Sequence, residues 1–333
     1  MKVMVTGGAG FLAGHLIERL LHEGHEVWTV ELPDRPTPEL DRLGVEVIRG
    51  DLRDPDVCAR ACGGAWVVFH LAALAAPFGP RELFWSINVT ATENIIEACK
   101  VAGVRRLVQV SSASAVCDGT DQIMADETRP YPKKFLCHYS ETKALSEKLA
   151  IAANGPELET VVIRPHAIWG PRDHTLFPRI IVRAKQGRLL QIGKGTNEHS
   201  LLYVENGVDA LVLAATAKAA PGKIYFIVDD KPVVLWEFIR KMLAELKVPA
   251  PRRAVPYPVA YALGAVMETA YTVMRLKGEP VITRYVAVKL GKSHSYSSKR
   301  ARADLGYYPR VYPEEGLRNV YKWIDEKGLT DEL

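Results

Sequence analysis

Lys2-Val3-Met4-Val5-Thr6-Gly7-Gly8-Ala9-Gly10-Phe11-Leu12-Ala13-Gly14-His15-Leu16-Ile17 opens the chain and decides its fold. A β-branched run reads as a strand, the glycines as a sharp turn, and the residues from Phe11 as a helix of apolar spacing. Such a turn aims backbone N–H groups and the positive end of a helix dipole at one point, which suits a pyrophosphate. Gly7 makes the tight turn, Gly10 lets phosphates approach, and Ala13 lets the helix pack close to the strand. Val27-Trp28-Thr29-Val30 reads as a second strand, ending at Glu31 roughly 20 residues beyond the glycines. A carboxylate there accepts ribose hydroxyls and repels a 2′-phosphate, which favours NAD; Arg35 keeps NADP open as the alternative.

Composition bounds the remaining classes. The 333 residues are 48% hydrophobic and 25% charged, as in an ordinary soluble globular protein, with room for one large domain or two modest ones. A net charge of +4 without an aromatic-rich basic stripe argues against nucleic acid. The five cysteines (Cys58, Cys62, Cys99, Cys117, Cys137) are scattered and odd in number, which reads as reduced thiols in a cytoplasmic protein. Cys58 and Cys62 lack a second ligand pair, so no metal is expected. The first strand starts at residue 2, which leaves no room for a leader peptide.

Further along, Val45-Glu46-Val47-Ile48 is a third strand leading to Gly50-Asp51-Leu52. Asp51 stands where it could reach an adenine or cap the following helix. Ala65 to Leu71 is nearly all apolar, as a strand buried on both faces is, and runs into the small Ala72 and Ala73. Residues 81–101 read as a helix in which Asn88 is simply solvated. Arg106 to Val110 is a strand that delivers Ser111 and Ser112; a helix over 135–153 and the strand Thr160 to Ile163, leading to Pro165 and His166, follow. This alternation predicts an α/β fold: a doubly wound parallel (Rossmann) sheet with ligands at the carboxyl ends of its strands. Residues 1–170 with about 201–228 form the expected cofactor domain. About 171–200 with 229–333 form a smaller, mostly helical substrate domain.

Tyr139 and Lys143 are four apart and share one helix face. A free tyrosine has a pKa near 10, too high for a base at neutral pH, and a nearby ammonium together with the positive nicotinamide of NAD is expected to favour the phenolate and lower it. Tyr139 then takes a proton from a secondary alcohol, or returns one to a reduced ketone, while Ser112 hydrogen-bonds the substrate oxygen. Tyr285 and Lys289 repeat the spacing in the second half, where it is expected to mean nothing.

Thr6-Gly7-Gly8-Ala9-Gly10-Phe11-Leu12-Ala13, Ser111-Ser112-Ala113-Ser114 and Tyr139-Ser140-Glu141-Thr142-Lys143 resemble the extended short-chain dehydrogenase/reductase superfamily. Ile163-Arg164-Pro165-His166-Ala167-Ile168-Trp169-Gly170-Pro171-Arg172-Asp173 resembles its 3β-hydroxysteroid dehydrogenase branch, nearest to decarboxylating sterol-4-carboxylate 3-dehydrogenases. Ser295-Tyr296-Ser297-Ser298-Lys299-Arg300-Ala301 and Asp304-Leu305-Gly306-Tyr307 carry the likeness almost to the end. Ala13 and Ala91 stand where the family commonly has glycine. The resemblance implies an NAD(P)-dependent oxidoreductase using Ser112, Tyr139 and Lys143. It also implies a homodimer joined through the helices of about 81–102 and 135–153. The expected cofactor contacts are Gly7, Gly10, Phe11, Leu12, Glu31, Asp51, Leu52, Leu71, Ala72, Ala73, Ser111, Pro165 and His166, with Tyr139 and Lys143. Ser114, Arg172 and His199 are candidate substrate residues, Arg172 as a bidentate carboxylate partner.

Related chemistries divide on single positions. Nucleotide-sugar epimerases carry a phosphate-binding arginine where His199 stands, and sugar dehydratases carry an Asp-Glu pair where Ala113 and Ser114 follow Ser112. A 2-alkyl-3-oxoalkanoate reductase fits the same residues as a sterol enzyme, since both substrates are bulky and apolar with an oxygen β to a carboxylate. A nucleotide-sensing module without chemistry is the non-enzyme alternative. The apolar stretch 254–274, flanked by Arg252, Arg253, Arg275 and Lys277, is expected to lid the substrate cavity and touch a membrane surface.

Overall fold

The strand-forming runs assemble as their burial requires. The computed structural model describes residues 1–174 and 177–328. Its main sheet has seven parallel strands in the order Lys223–Ile227, Glu159–Pro165, Arg106–Val110, Val67–His70, Lys2–Thr6, Glu26–Glu31 and Glu46–Arg49. Val3, Val5, Val67, Val108 and Val161 are fully buried, because helices cover both faces of a parallel sheet. On one face the helices Phe11–His22 and Val204–Thr216 bring Leu16, Ile17, Val208 and Leu211 onto the sheet. On the other, Pro55–Cys62 and Ala91–Val101 bring Val57, Cys58, Ile95 and Cys99.

The first three strands run outward from Lys2–Thr6 in one direction, and Val67–His70 returns to its other side. The crevice where strand order reverses therefore opens between Gly7 and Ala72. Gly7 has a φ of +71°, and a Cβ on it would stand 3.2 Å from the Ala72 Cα, so both conformation and space call for glycine. Thr6 ties the crevice floor: its Oγ1 accepts the N–H groups of Leu71 and Ala72, both at 3.0 Å, and faces His70 Nδ1 at 2.9 Å.

The second half is mostly helical, as expected, and adds short strands. It contains a four-stranded sheet in the order Val233–Val234, Glu198–His199, His294–Tyr296 and Gln122–Ala125. The last strand comes from the first half of the chain. Long-range pairing of His294–Tyr296 with Gln122–Ala125 thus brings residues near 290 back to the first half. The helix expected over 135–153 begins at His138, after an extended Cys137, and ends at Ala152.

The segment 81–101 is also not one regular helix. Residues Ser86–Thr90 form a π-helical turn between Arg81–Trp85 and Ala91–Val101. That turn faces Asn88 inward, where it is 2% exposed. Its Oδ1 accepts the Leu74 N–H at 2.7 Å, and its Nδ2 donates to the Leu74 carbonyl at 3.1 Å and to Thr142 Oγ1 at 3.0 Å. Asn88 is a buried clamp between the loop after Val67–His70 and the helix that carries Tyr139, not a solvated residue. Asn88→Ala strands those partners and is expected to cost about 2–3 kcal/mol by urea denaturation, where an exposed asparagine would cost almost nothing.

Candidate active site

The turn Gly7–Gly10 leads into the helix from Phe11, whose first intrahelical bond runs from the Gly14 N–H to the Gly10 carbonyl at 2.9 Å. The N–H groups of Phe11, Leu12 and Ala13 precede that bond, as donors at the positive end of the dipole. Gly8 N–H is taken by Thr29 Oγ1 at 3.0 Å and Ala9 N–H by Glu31 Oε1 at 2.7 Å. Glu31 thus braces the turn as well as marking the end of the second strand. A dinucleotide's phosphates fit the remaining donors, and Glu31 beside them fits an unphosphorylated ribose. A cavity of about 560 Å³ adjoins the turn, lined by Gly8–Phe11, residues 36–40 and Arg172–His174.

Asp51 is tied in a local turn. It accepts Arg53 N–H at 2.9 Å and Arg53 Nε at 2.9 Å, and the guanidinium holds its carboxyl below the usual range. The cap of helix Pro55–Cys62 is Asp54, whose side chain accepts from Asp56 N–H. Leu52 is buried in the core beneath this turn, and Leu71, Ala72 and Ala73 line the crevice, half-buried.

Ser112, Tyr139 and Lys143 come together. The strand Arg106–Val110 ends beside the helix His138–Ala152, and Lys143 Nζ donates to the Val110 carbonyl at 2.6 Å. Burial lowers the pKa of Lys143 to about 8, with Glu147 opposing. Tyr139 is pushed up to about 12 by burial, against the pull of its hydrogen bond with Ser112. In the free protein Lys143 alone does not offset that burial, its ammonium being turned toward the strand carbonyl; the expected lowering also calls on the nicotinamide. At neutral pH the free protein holds a protonated phenol at this point.

Other expected contacts face elsewhere. Ser111 Oγ donates to Glu147, which is buried against Arg164 (2.7 Å) and accepts from Tyr131 Oη at 2.8 Å. His166 is buried with Nδ1 at 2.6 Å from the Ser200 carbonyl and Nε2 at 3.3 Å from Lys289 Nζ, so its ring faces the cap. His199 sets Nε2 2.9 Å from the Lys292 carbonyl. Arg172 corrects the expectation most sharply. It makes a bidentate pair with Glu18, at 2.6 and 2.7 Å, on the rim beside the glycine turn, so it is not a free partner for a substrate carboxylate. Pro165 closes its strand, paired with Ile227.

Two residues whose spacing reads as coincidence in the sequence lie at the site. Tyr285 Oη is 2.7 Å from Ser114 Oγ, which lies 3.1 Å from Ser112 Oγ. The second Tyr-x-x-x-Lys pair therefore abuts the first. The only sequence signal is the repeated spacing; its location depends on the strand pairing at His294–Tyr296. Among the described residues, no three of His, Cys, Asp or Glu converge as metal ligands. The five cysteines are free.

A glycine turn at a topological switch point, with serine, tyrosine and lysine at the neighbouring strand end, defines an enzyme of the extended short-chain dehydrogenase/reductase class. The 3-beta hydroxysteroid dehydrogenase/isomerase family model matches residues 4–258, and the chain belongs to that family. It is 40% identical over 96% of its length to a 2-alkyl-3-oxoalkanoate reductase of Stenotrophomonas maltophilia, covering 98% of that protein. It is 35% identical over 96% of its length to the human decarboxylating sterol-4-alpha-carboxylate 3-dehydrogenase, covering 87% of that protein. A UDP-glucuronic acid 4-epimerase from Bacillus cereus, solved with NAD, shares the fold at a TM-score of 0.77 and 22% identity, over 98% of this chain and 99% of that one.

Burying Lys143 has a measurable cost. Between about pH 8 and its unperturbed value of 10.5, the unfolded chain holds a proton that the folded chain has released. Stability therefore rises with pH across that window. Lys143→Met is expected to be more stable than the parent by about 1–3 kcal/mol at pH 7, with the gain shrinking toward pH 10, in urea titrations. A pH-independent difference would contradict the buried, shifted amine.

Proposed function

We propose that this oxidoreductase interconverts a secondary alcohol and a ketone on a bulky apolar acid, at the carbon β to the carboxylate, with NAD as cofactor. The observation that carries this is the buried Tyr139 phenol, hydrogen-bonded to Ser112 at the crevice mouth. When bound, NAD supplies the hydride acceptor (as NADH, the donor) and a positive ring in the oxidised state. Ser112 positions the substrate oxygen. Tyr139 gives its proton to that oxygen as the ketone is reduced, and a phenol held protonated to about pH 12 is ready to do so. In oxidation Tyr139 must first lose its proton to solvent and, as the phenolate, takes the proton of the alcohol, while Lys143 beneath it keeps the helix in register with Val110.

The two relatives, named for a sterol-4-carboxylate and a 2-alkyl-3-oxoalkanoate, support a substrate with this oxygen-to-carboxylate relation, and the family supports the 3β-hydroxysteroid alcohol without it. A nucleotide sugar is disfavoured because His199, where the epimerases carry arginine, is buried and bonded to a backbone carbonyl. We assign residues 1–170 with 201–228 to the cofactor and 171–200 with 229–333 to the substrate; Thr175, Leu176 and residues 329–333 of the latter lie outside the described residues. Tyr139→Phe is expected to lower kcat by about 10²–10⁴-fold while NADH binding, read by fluorescence, changes less than about threefold. A panel of 3β-hydroxysterols with and without a 4-carboxyl, 2-alkyl-3-hydroxyalkanoates and UDP-sugars, each with NAD and NADP, tests the substrate class. Preferential turnover of UDP-sugars would overturn it.

Assembly and membrane contact belong to the same reading. The helices of about 81–102 and 138–152 present Leu83 and half-buried Ile87 and Leu145 to a second copy, which supports a homodimer. A monomer in sedimentation equilibrium would remove it. The helix Tyr257–Val273 buries only Ala260 and Gly264, leaves Val259, Leu263, Val266 and Val273 exposed along one side, and sets Tyr271 against Phe78 of the crevice loop at 6.0 Å. No helix of the described residues is long and apolar enough to cross a membrane. Exposed Arg252, Arg253, Arg275 and Lys277 flank that helix, which fits a peripheral cytoplasmic protein resting on anionic lipid. Co-sedimentation with phosphatidylserine vesicles is expected, and is expected to weaken in Val266→Glu.

A further inference from the structure

Lys289 is a cation without a counter-ion. It lies on the helix Arg284–Gly291, and among the described residues it makes no ion pair; its polar partner is His166 Nε2 at 3.3 Å. His166 Nδ1 faces the Ser200 carbonyl at 2.6 Å, so that nitrogen carries the proton and Nε2 receives from lysine. The surrounding imidazoles are likewise neutral donors to backbone. His199 Nε2 faces the Lys292 carbonyl at 2.9 Å and His294 Nε2 the Val288 carbonyl at 3.3 Å, while the buried Nδ1 of His294 has no partner. The three rings stand 5.2 to 6.0 Å apart, centre to centre. Burial lowers the Lys289 pKa, as it does for an amine whose charge nothing nearby neutralises.

Its position gives that charge a use. Lys289 Nζ lies 5.8 Å from the centre of the Tyr285 ring, and Tyr285 Oη is 2.7 Å from Ser114 Oγ, itself 3.1 Å from Ser112 Oγ. The cation therefore stands one tyrosine away from the hydroxyls that hold the reacting oxygen. In a β-hydroxy acid a single carbon separates the carbinol from the carboxyl group. With the carbinol oxygen on Ser112, a carboxylate one carbon away is within reach of the Tyr285 hydroxyl, which Ser114 links to Ser112.

We propose that Lys289 and Tyr285 form the subsite for the substrate carboxylate, so that selection for acids over neutral alcohols resides in the cap helix Arg284–Gly291. The assignment rests on the β-hydroxy acid reading above and gives Lys289 the part that Arg172, paired with Glu18, does not play. A charged hydrogen bond on the carboxylate would supply both affinity and orientation.

The test compares wild type, K289M and K289Q, each loaded with NAD, on a 2-alkyl-3-hydroxyalkanoate and on its methyl ester. K289Q serves as the conservative variant, because it retains a donor for His166 without the charge. The ratio of kcat/KM for acid over ester is expected to fall about 30-fold or more in both variants. A ratio within about threefold of wild type overturns the assignment, because a merely structural lysine would affect acid and ester alike. A saturated 2-alkylalkanoate, which lacks the reacting oxygen, is titrated into the same holoenzymes by calorimetry. Binding to wild type that weakens about 30-fold in K289M supports the subsite; equal affinities, or no binding to wild type, overturn it. Since that titration needs no hydride transfer, a wild type that oxidises neither alcohol would refute the proposed reaction while the subsite is still decided.

Discussion

A hydrogen bond from Lys143 Nζ to the Val110 carbonyl, 2.6 Å long, fixes the working end of this molecule. It joins the helix carrying Tyr139 to the strand delivering Ser112, beside the hydrogen bond between those two hydroxyls. One turn on, Glu147 repeats the clamp by accepting from Ser111 and pairing with Arg164, with both charged groups buried. Asn88 adds a third tie, through Thr142, to the loop lining the crevice. Three buried charged groups and a buried amide are costly, and their arrangement makes sense as positioning rather than as stabilisation.

The same burial sets the proton chemistry. In a dry pocket the phenol is held neutral and the amine is pulled toward neutrality. The free protein thus keeps the proton on this phenol, and in the proposed reaction the positive charge of oxidised cofactor favours its loss. The cap mirrors the arrangement with Lys289 among neutral histidines and Tyr285 against Ser114. Of these two lysines, Lys143 bonds to the strand that leads to Ser112, and Lys289 faces His166.

Much of this is legible in the chain itself. The glycine turn, the acidic end of the second strand and the fully apolar strands follow from local chemistry, and so does the parallel sheet. Ser112, Tyr139 and Lys143 are legible from a helix period beside a strand end. What escapes depends on partners remote in sequence. Arg172 looks free until Glu18 faces it, His166 and Ser111 look outward until Lys289 and Glu147 claim them, and Asn88 looks solvated until a π-turn rotates it inward. Tyr285 and Lys289 read as coincidence from their place in the chain, which the pairing of His294–Tyr296 with Gln122–Ala125 overrides.

The most direct measurement is the ionisation of Tyr139 itself, followed by NMR on protein labelled with ¹³C at the tyrosine ζ carbon, the signal being assigned by its loss in Y139F. The account predicts a phenol that stays protonated well past pH 10 in the free protein and becomes more acidic by at least about one unit when NAD is bound. A Tyr139 that titrates near the ordinary value of about 10, unmoved by NAD, would contradict it.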